Sequence, residues 1–338
     1  MKNNYFLYNL RGIARSLIPA VFLPKNREKI LHNVQDRADI EYIKSRVDYY
    51  CQLKRPIQLD KEAKSLDYLR FTRKKSVYFF DTYEWACYFP QHFKAHFMFG
   101  DINFICPKPS ITKSRPIESW IKAQNVAEQN ATRGGAVDEL PPFANSTLLN
   151  LEKVRHFTFI NDPYAFEDKR DMLFYRGGIY QPHRTAFFEK YFHHKMCDLG
   201  HTGSKSIHKD WQKPKIGIAQ HLPYKFLLSL EGNDVASNLK WVMSSNSLCI
   251  MPKPKFETWF MEGTLLPNIH YVEIAPDYAN LEEKLTYFIN HPDEAKAIIH
   301  NAHEYIKQFF DKQREAIISL LVLEKYLYYT GQIDKLRI

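Results

Sequence analysis

The stretch HLPYKFLLSLEGNDVASNLKWVMSSNSLCIMPKPKFETWFMEGTLLPNIHYVEI, residues 221–274, decides the fold of this chain. Its apolar run at 226–230 has the length of a buried strand, and the run at 248–251 predicts a second strand. Between them, Asp234 stands where a helix cap is expected, so we predict a helix over 235–245. The three elements form a β-α-β unit with a right-handed crossover.

The predicted unit brings a strand end, the turn at 231–232 and a helix start together. In α/β proteins, ligands bind outside the carboxyl ends of the strands, and the N–H groups of a helix N-terminus attract phosphate. We therefore expect a phosphate-bearing ligand at residues 232–237, with Gly232, Ser237 and Asn238 as candidate contacts.

The composition is that of a globular protein. Its 338 residues suffice for two ordinary domains or one large α/β domain, and 45% of them are hydrophobic. The five cysteines are scattered and include no Cys-x-x-Cys pair, which argues against a disulfide framework and against a zinc site. We interpret them as small buried hydrophobic residues in a reducing cytoplasm: Cys51, Cys87, Cys106, Cys197 and Cys249.

Residues 1–29 combine bulky apolar side chains with basic ones. Their longest uncharged run, 16–24, is far too short to span a membrane, and no signal peptide is predicted. With a net charge of +9, the protein suits attachment through this end to an anionic membrane surface; a solvated basic face that covers core aromatic residues is the alternative. No nucleic-acid partner is expected, because the chain has no RNP, zinc-finger, KH-type or basic-zipper pattern.

Local patterns predict the elements of the first half. Helices over 27–50 and 60–70 precede a short buried strand at 76–80, which ends at Asp81. A carboxylate at the carboxyl end of a strand faces the functional edge of an α/β sheet. The segment 118–145, which contains a Gly pair and a Pro pair, is interpreted as a surface excursion.

The second half alternates strands and helices and then becomes helical. Strands are predicted over 157–160 and 172–175, and a domain boundary is expected between them. The predicted C-terminal helices cover 281–290, 293–310 and 313–329.

Short motifs in a fixed order give the chain a family resemblance. They are KSRPI (113–117), KVRHF (153–157), YRGG (175–178), the Tyr-Lys, Glu-Gly-Asn, Ala-Ser and Leu-Lys-Trp groups of 224–241, and the Glu-Thr-Trp-Phe, Leu-Leu-Pro and His-Tyr-Val groups of 257–272. The pattern resembles glycosyltransferase family 90, which includes CAP10-like proteins and protein O-glucosyltransferases. It is most similar to the bacterial LpsA-type lipopolysaccharide glycosyltransferase branch, relative to which 118–145 looks like an insertion.

The resemblance implies a GT-B-like α/β fold with two Rossmann-like domains facing a cleft and a helical C-terminus. The implied parts are an N-terminal acceptor-side domain (1–165), a nucleotide-sugar domain (166–312) and a C-terminal helix (313–338) that packs back on the first domain. The implied activity is an inverting transfer of a hexose from UDP-glucose or UDP-galactose to a lipopolysaccharide core saccharide. The implied setting is the cytoplasm, at the inner face of the inner membrane if the protein is peripheral.

No metal or other cofactor is expected, since the chain contains no Asp-x-Asp sequence for a metal–diphosphate clamp. Cations and helix amides must then neutralise the leaving diphosphate. Arg176, Gly177 and Arg184 are candidate contacts of the nucleotide. The two arginines flank the turn that begins at Gly177, their spacing resembles the nucleotide-binding segment of the family, and a guanidinium fork suits diphosphate oxygens. Lys225 and Lys240 are further candidates.

Asn238 departs from the eukaryotic branch of the family, in which an arginine that binds the nucleotide follows the Ala-Ser pair. The other cationic candidates, Arg184, Lys225 and Lys240, must then neutralise more of the diphosphate charge. Glu257 is a candidate for the ribose or sugar hydroxyls of the donor, because a carboxylate can accept two hydrogen bonds from a diol; Glu262 is the alternative. His270 is interpreted as a core or turn residue.

A base must take the proton of the acceptor hydroxyl. Asp81 is the candidate, because it falls where the catalytic aspartate of the family follows a strand, and Asp101 and Glu84 are its rivals. Two other functions remain open. One is a nucleotide- or carbohydrate-binding scaffold of the same fold without catalysis, and the other is a peripheral membrane protein without sugar chemistry.

Overall fold

A computed structural model describes residues 5–18, 23–71, 76–117, 142–204 and 208–338. The chain forms two compact units. We call residues 156–254 and 262–308 the central unit, and residues 2–155, 255–261 and 309–338 the terminal unit. The chain leaves the central unit for residues 255–261 and then returns to it, so neither unit is one continuous segment. The domains expected from the sequence, in contrast, are continuous segments.

The chain combines helices with strands that pair mainly in parallel, which confirms the predicted α/β class. The strands are β1 (Lys64–Ser65), β2 (Lys94–Met98), β3 (Ser110–Thr112), β4 (Ser114–Pro116), β5 (Ser146–Leu148), β6 (Arg170–Gly177), β7 (Cys197–His201), β8 (Tyr224–Leu228), β9 (Leu248–Met251), β10 (Phe256–Thr258) and β11 (Val272–Glu273). The α-helices of the described residues are α1 (Tyr5–Leu17), α2 (Leu23–Leu31), α3 (Ile40–Tyr50), α4 (Tyr68–Phe71), α5 (Val77–Ala86), α6 (Lys153–His156), α7 (Pro182–Tyr191), α8 (Leu239–Met243), α9 (Leu281–Asn290), α10 (Pro292–Lys307) and α11 (Lys312–Tyr329).

The central unit is built on a parallel sheet with the strand order β11-β9-β8-β6-β7. Successive residues of β8, Leu227 and Leu228, are each only 1% exposed, so both faces of the sheet are covered, as is usual for parallel sheets. The predicted strands at 172–175 and 248–251 are confirmed by β6 and β9. The parallel pairing of β8 with β9 confirms the predicted β-α-β unit.

The connection between β8 and β9 differs from the prediction. Its helix α8 is shorter than the predicted 235–245, and the residue that precedes it is Asn238 rather than Asp234. The Asn238 amide donates to the Leu228 carbonyl at 2.9 Å. This bond holds the residue before the helix against the end of β8, so the loop between them stays irregular and the helix begins later.

The terminal unit contains a four-stranded sheet in the order β1-β2-β3-β5, in which β1 is antiparallel to β2 and the other pairs are parallel. Strands β4 and β10 form a separate antiparallel pair. Helix α11 is joined to α3 by an ion pair between Glu315 and Arg46, which is buried, and Trp259 Nε1 donates to the same carboxylate at 2.6 Å. The C-terminal helix and the returning segment thus share one buried polar contact.

The strand predicted over 76–80 is wrong, because these residues open helix α5. An apolar run of five residues is too short to distinguish strand from helix by its pattern. In the structure, Val77, Phe80 and Asp81 are buried at the i, i+3 and i+4 spacing of a helix. Asp81 therefore lies inside a helix and not at the end of a strand.

Other helix predictions are corrected in length. The helix predicted over 27–50 is divided into α2 and α3, and Asn33 between them adopts a left-handed φ of 57°. Of the helix predicted over 60–70, only the short α4 forms at its end, after the two-residue strand β1. The three predicted C-terminal helices correspond to α9, α10 and α11, and α10 ends at Lys307 rather than at 310.

The strand predicted over 157–160 is not formed. Its last N–H, that of Ile160, donates to Ser244 Oγ at 3.0 Å and not to a neighbouring strand. Most of the predicted excursion at 118–145 lies outside the described residues, and its last four residues form a 3₁₀ turn.

None of the described helices is long and apolar enough to cross a membrane. All five cysteines are buried free thiols, which confirms their interpretation as buried hydrophobic residues. Burial raises the pKa of each of these thiols above its usual value.

Candidate functional site

Two loops meet at the carboxyl edge of the central sheet. The chain passes from β6 to β7 on one side and then returns to β8 on the other side of β6. This reversal is a topological switch point, the place at which open α/β sheets bind their ligands. We call the site bordered by residues 178–181 after β6 and 229–233 after β8 the switch crevice.

Arg184 ties the two loops of the switch crevice together. From the first turn of α7, its Nη1 donates to the Gly178 carbonyl at 2.7 Å, its Nη2 to the Leu230 carbonyl at 2.7 Å and its Nε to the Glu231 carbonyl at 2.8 Å. An arginine carries five N–H donors in a rigid planar fork. Three of these donors bond to backbone carbonyls. Among the described residues, the other two N–H groups have no acceptor, so they and the positive charge are available to a ligand.

Neighbouring side chains add to the same link. Gln181 Nε2 donates to Asn233 Oδ1 at 3.1 Å, and His183 Nε2 lies 2.8 Å from the Glu231 carbonyl oxygen. Ser237 is exposed on the loop before α8. The carboxyl edge of the central sheet therefore gathers five of the predicted contacts: Gly177, Arg184, Gly232, Ser237 and Asn238.

Arg176 points to the other side of β6. Its Nη2 lies 2.6 Å from Asp198 Oδ1, its Nη1 donates to the Asp198 carbonyl at 2.9 Å, and its guanidinium lies 4.3 Å from the centre of the Phe174 ring. The carboxylate of Asp198 balances the charge of this guanidinium. Arg176 therefore contacts β7, whereas Arg184 contacts the two loops of the switch crevice.

The two predicted lysines are engaged away from the switch crevice. Lys225 is the second residue of β8, so it lies at the amino end of the strand, where it pairs with Asp171 at 2.5 Å. A strand rises about 3.3 Å per residue, which separates Lys225 from the carboxyl edge by roughly 10 Å. Lys240 is buried and pairs with the buried Glu262 at 2.5 Å. Both predictions of a diphosphate contact are therefore corrected.

Glu257 belongs to the terminal unit, apart from the other predicted donor contacts. It lies in β10, opposite Arg115 of the KSRPI motif in β4, and accepts from Arg115 Nε at 2.8 Å. Its second carboxylate oxygen accepts from the Tyr49 hydroxyl. With both oxygens bonded and only 4% of the residue exposed, its predicted role toward donor hydroxyls is corrected to a structural one.

In the terminal unit, three charged residues follow three neighbouring parallel strands. Asp101 comes after β2, Lys113 directly after β3, and Glu152 after β5. Lys113 is 1% exposed and lies 2.5 Å from Asp101 Oδ1 and 3.7 Å from Glu152 Oε2. These residues sit at the carboxyl edge of the parallel strands, the functional edge of an α/β sheet. We call them the carboxylate cluster.

The carboxylate cluster has further partners at its border. Arg155 Nη2 lies 3.7 Å from Asp101 Oδ1, and its Nε lies 2.7 Å from Glu152 Oε1. The Tyr78 hydroxyl donates to Glu152 Oε2 at 2.8 Å. Gly100, with a φ of 120°, makes the turn that only glycine adopts readily and so delivers Asp101 to this edge. The Asp101 side chain is 28% exposed.

Asp81 is held in a different environment. It is 1% exposed, accepts from the Tyr8 hydroxyl and from the Lys153 N–H at 3.1 Å, and lies 3.5 Å from Lys153 Nζ. Burial raises the pKa of Asp81 to about 7, against the opposing charge of Lys153. Its rival Glu84 pairs with Arg15 at 2.9 Å and with Lys153.

The sequence analysis did not predict that two of the family motifs contact Asp101. Lys113 of KSRPI and Arg155 of KVRHF both pair with its carboxylate. The available signal was the Gly-Asp pair that directly follows a strand-like run at 94–99. His270 closes a turn, because its Nδ1 accepts from the Leu266 N–H at 3.0 Å. In the described part of the chain, no three His, Cys, Asp or Glu side chains are grouped to hold a metal ion.

Comparison with known proteins identifies the family. The model of Glycosyl transferase family 90 matches residues 153–326. The chain is 37% identical over 314 residues to the "O-glucosyltransferase LpsA" of Dichelobacter nodosus, which covers 92% of this chain and 91% of that protein. It is also 27% identical over 96 residues, 28% of this chain and 9% of that protein, to "Uncharacterized protein 035R" of Invertebrate iridescent virus 3. The chain belongs to glycosyltransferase family 90, in its LpsA-type branch, and is a glycosyltransferase.

Proposed function

We propose that this enzyme is an inverting, metal-independent glycosyltransferase of GT-B type that transfers a hexose, glucose or galactose, from a UDP-sugar to a lipopolysaccharide core saccharide. The observation that carries the proposal is the switch crevice of the central unit, where one arginine joins two loops at the carboxyl edge of a parallel sheet. The name of the Dichelobacter relative supports glucose as the transferred sugar.

The donor diphosphate would bind in the switch crevice. Arg184 offers two further N–H groups and a charge that is fixed in place by three backbone carbonyls. A preorganised cation of this kind stabilises the negative charge that develops on the departing UDP. The absence of an Asp-x-Asp sequence supports a mechanism that needs no metal. Because Asn238 brings no charge, Arg184 carries more of this task.

Asp101 is the best of the three candidate bases, since Glu84 is already paired with Arg15 and Lys153. It lies at the carboxyl edge of the parallel strands and is partly exposed, whereas Asp81 is buried inside α5 with both carboxylate oxygens bonded. A base must come within hydrogen-bond reach of the hydroxyl that it deprotonates. Lys113, buried against Asp101, keeps the carboxylate oriented.

The proposed reaction is a single displacement. The acceptor hydroxyl oxygen forms a bond with the anomeric carbon of the donor sugar from the face opposite UDP, and its proton passes to Asp101. The bond from the anomeric carbon to the β-phosphate oxygen breaks, and UDP leaves with its electron pair. The α-linkage of the donor thereby becomes a β-linkage in the product.

Helix α1 supports the proposed attachment to the inner face of the inner membrane. Four apolar residues at i, i+4, i+7 and i+11 form one exposed stripe: Phe6 (72%), Leu10 (51%), Ile13 (44%) and Leu17 (73%). Another face of the helix packs on α5, where a Cβ at Gly12 would collide with Phe80, and Ser16 is buried. An amphipathic helix with an exposed apolar stripe and basic neighbours lies in the interface of an anionic bilayer.

Arg184→Ala should weaken UDP binding roughly 10- to 150-fold, because a charge-assisted bond is worth about 1.5–3 kcal/mol. Isothermal titration of UDP measures this loss, and Lys225→Ala, at the amino end of β8, is the matched control with near wild-type affinity. Transfer activity should persist in EDTA. Unchanged UDP affinity in Arg184→Ala, or a strict need for Mg²⁺ or Mn²⁺, contradicts the metal-free site.

Asp101→Asn should lower the rate of transfer to a truncated core oligosaccharide roughly 100- to 10,000-fold, since it keeps the shape of the side chain but removes most of its basicity. UDP affinity should be unchanged. Asp81→Asn should retain transfer. A folded, inactive Asp81→Asn beside an active Asp101→Asn would return the base to Asp81. UDP binding by the wild type without any transfer would favour a binding scaffold.

Leu10→Gln combined with Ile13→Gln should reduce cosedimentation with phosphatidylglycerol vesicles roughly tenfold or more, because burial of each side chain is worth about 1.5–3 kcal/mol. The matched control is Leu266→Gln with Ile269→Gln, two equally exposed apolar residues of the central unit. Binding should also fall when salt is raised or when the basic residues of 2–29 are neutralised. Equal binding of the α1 variant and the control excludes this attachment.

A further inference from the structure

His201 ends β7 at the carboxyl edge of the central sheet, next to the turn that begins the switch crevice. Its Cα pairs with that of Gly177 in β6, and the following N–H, that of Thr202, donates to the Gly177 carbonyl at 2.9 Å. The residue is 0% exposed. Its imidazole is therefore buried one strand away from the switch point, on the side of β6 opposite β8.

The hydrogen bond of one ring nitrogen fixes the state of the other. The Ile179 N–H donates to His201 Nδ1 at 2.9 Å, so Nδ1 carries no proton. In a neutral imidazole the proton then sits on Nε2, which becomes a donor. Within the described ranges, Nε2 has no acceptor. A buried donor without an acceptor is costly, and such groups are rare in native structures.

The Tyr180 side chain packs against the His201 imidazole. The Tyr180 ring lies edge-on to the His201 ring, with 5.3 Å between the centroids and 86° between the planes. Gly203 packs beneath both, because a Cβ there would collide with the Tyr180 hydroxyl and stand 2.8 Å from His201 Nε2. Tyr180 itself is 57% exposed, so more than half of the residue faces solvent.

We propose that His201 is a donor-site binding residue: when Tyr180 swings aside, the Nε2–H of His201 donates a hydrogen bond to an acceptor oxygen of the nucleotide. This inference rests on the proposed use of a nucleotide sugar. Neighbouring strands lie about 4.8 Å apart, so a nucleotide whose diphosphate is held near Arg184 can reach across β6 to His201. Uracil carbonyls and phosphate oxygens are both suitable acceptors for a neutral N–H.

The test separates the two nitrogens of the ring. His201→Asn retains an acceptor for the Ile179 N–H but removes the distal donor, and His201→Gln offers an amide donor near the position of Nε2. We expect UDP to bind about 3- to 10-fold more weakly to His201→Asn, the effect of one neutral hydrogen bond, and His201→Gln to recover part of the loss. His303→Asn, which alters a histidine bonded to the Ser245 carbonyl in the same unit, is the matched control with wild-type affinity.

Histidine side-chain ¹H–¹⁵N spectra of the wild type give a second readout, since UDP should shift the Nε2–H signal of His201. Titrations with uridine, UMP and UDP locate the acceptor: a penalty already present with uridine assigns a base or ribose oxygen, and one that appears only with UDP assigns a phosphate oxygen. If the wild type binds UDP but His201→Asn binds it equally and the Nε2–H signal does not move, the inference is overturned. If the wild type binds no UDP, the proposed function itself fails.

Discussion

Three hydrogen bonds from the guanidinium of Arg184 hold the carboxyl edge of the central sheet in one shape. They satisfy the carbonyls of Gly178, Leu230 and Glu231, which lie on loops that leave neighbouring strands in different directions. Without this fork, the three carbonyls would lose the donor that they share, and the direct link from Arg184 between the two loops of the switch crevice would be gone. The same bonds fix the position of a positive charge at this edge, so one side chain both joins the two loops and supplies the charge that the proposed donor site requires.

In the terminal unit, too, charged side chains are held at the carboxyl edge of parallel strands, but here an ion-pair cluster holds them. Parallel strands deliver the residues that follow them to a common edge, and here those residues are Asp101, Lys113 and Glu152. A buried lysine requires partner carboxylates, since an unpaired charge is costly to bury. Lys113 therefore fixes the position of Asp101 while leaving part of its side chain exposed. The central unit thus presents an arginine at the carboxyl edge of its sheet, and the terminal unit presents a partly exposed carboxylate at the carboxyl edge of its own parallel strands.

The sequence predicts this molecule well where the pattern is long or bounded by clear signals, as in β9, α9 and α11. It fails where a short apolar run suits either a strand or a helix, and so Asp81 was expected at a strand end and lies in α5. Residue type alone made Lys225 and Glu257 attractive as ligands. Their exclusion depends on which end of a strand Lys225 occupies and on the pairing of β10 with β4, which bonds Glu257 to Arg115. Such tertiary facts leave no local trace in the sequence.

The most direct test of this account is a crystal structure of the protein with UDP bound. The account predicts that the diphosphate lies at the switch crevice, within hydrogen-bond distance of the Arg184 guanidinium, while Arg184 keeps its bonds to the loops at 178 and 230–231. Density for UDP at the amino end of the central sheet, or a diphosphate that makes no contact with Arg184, would contradict it.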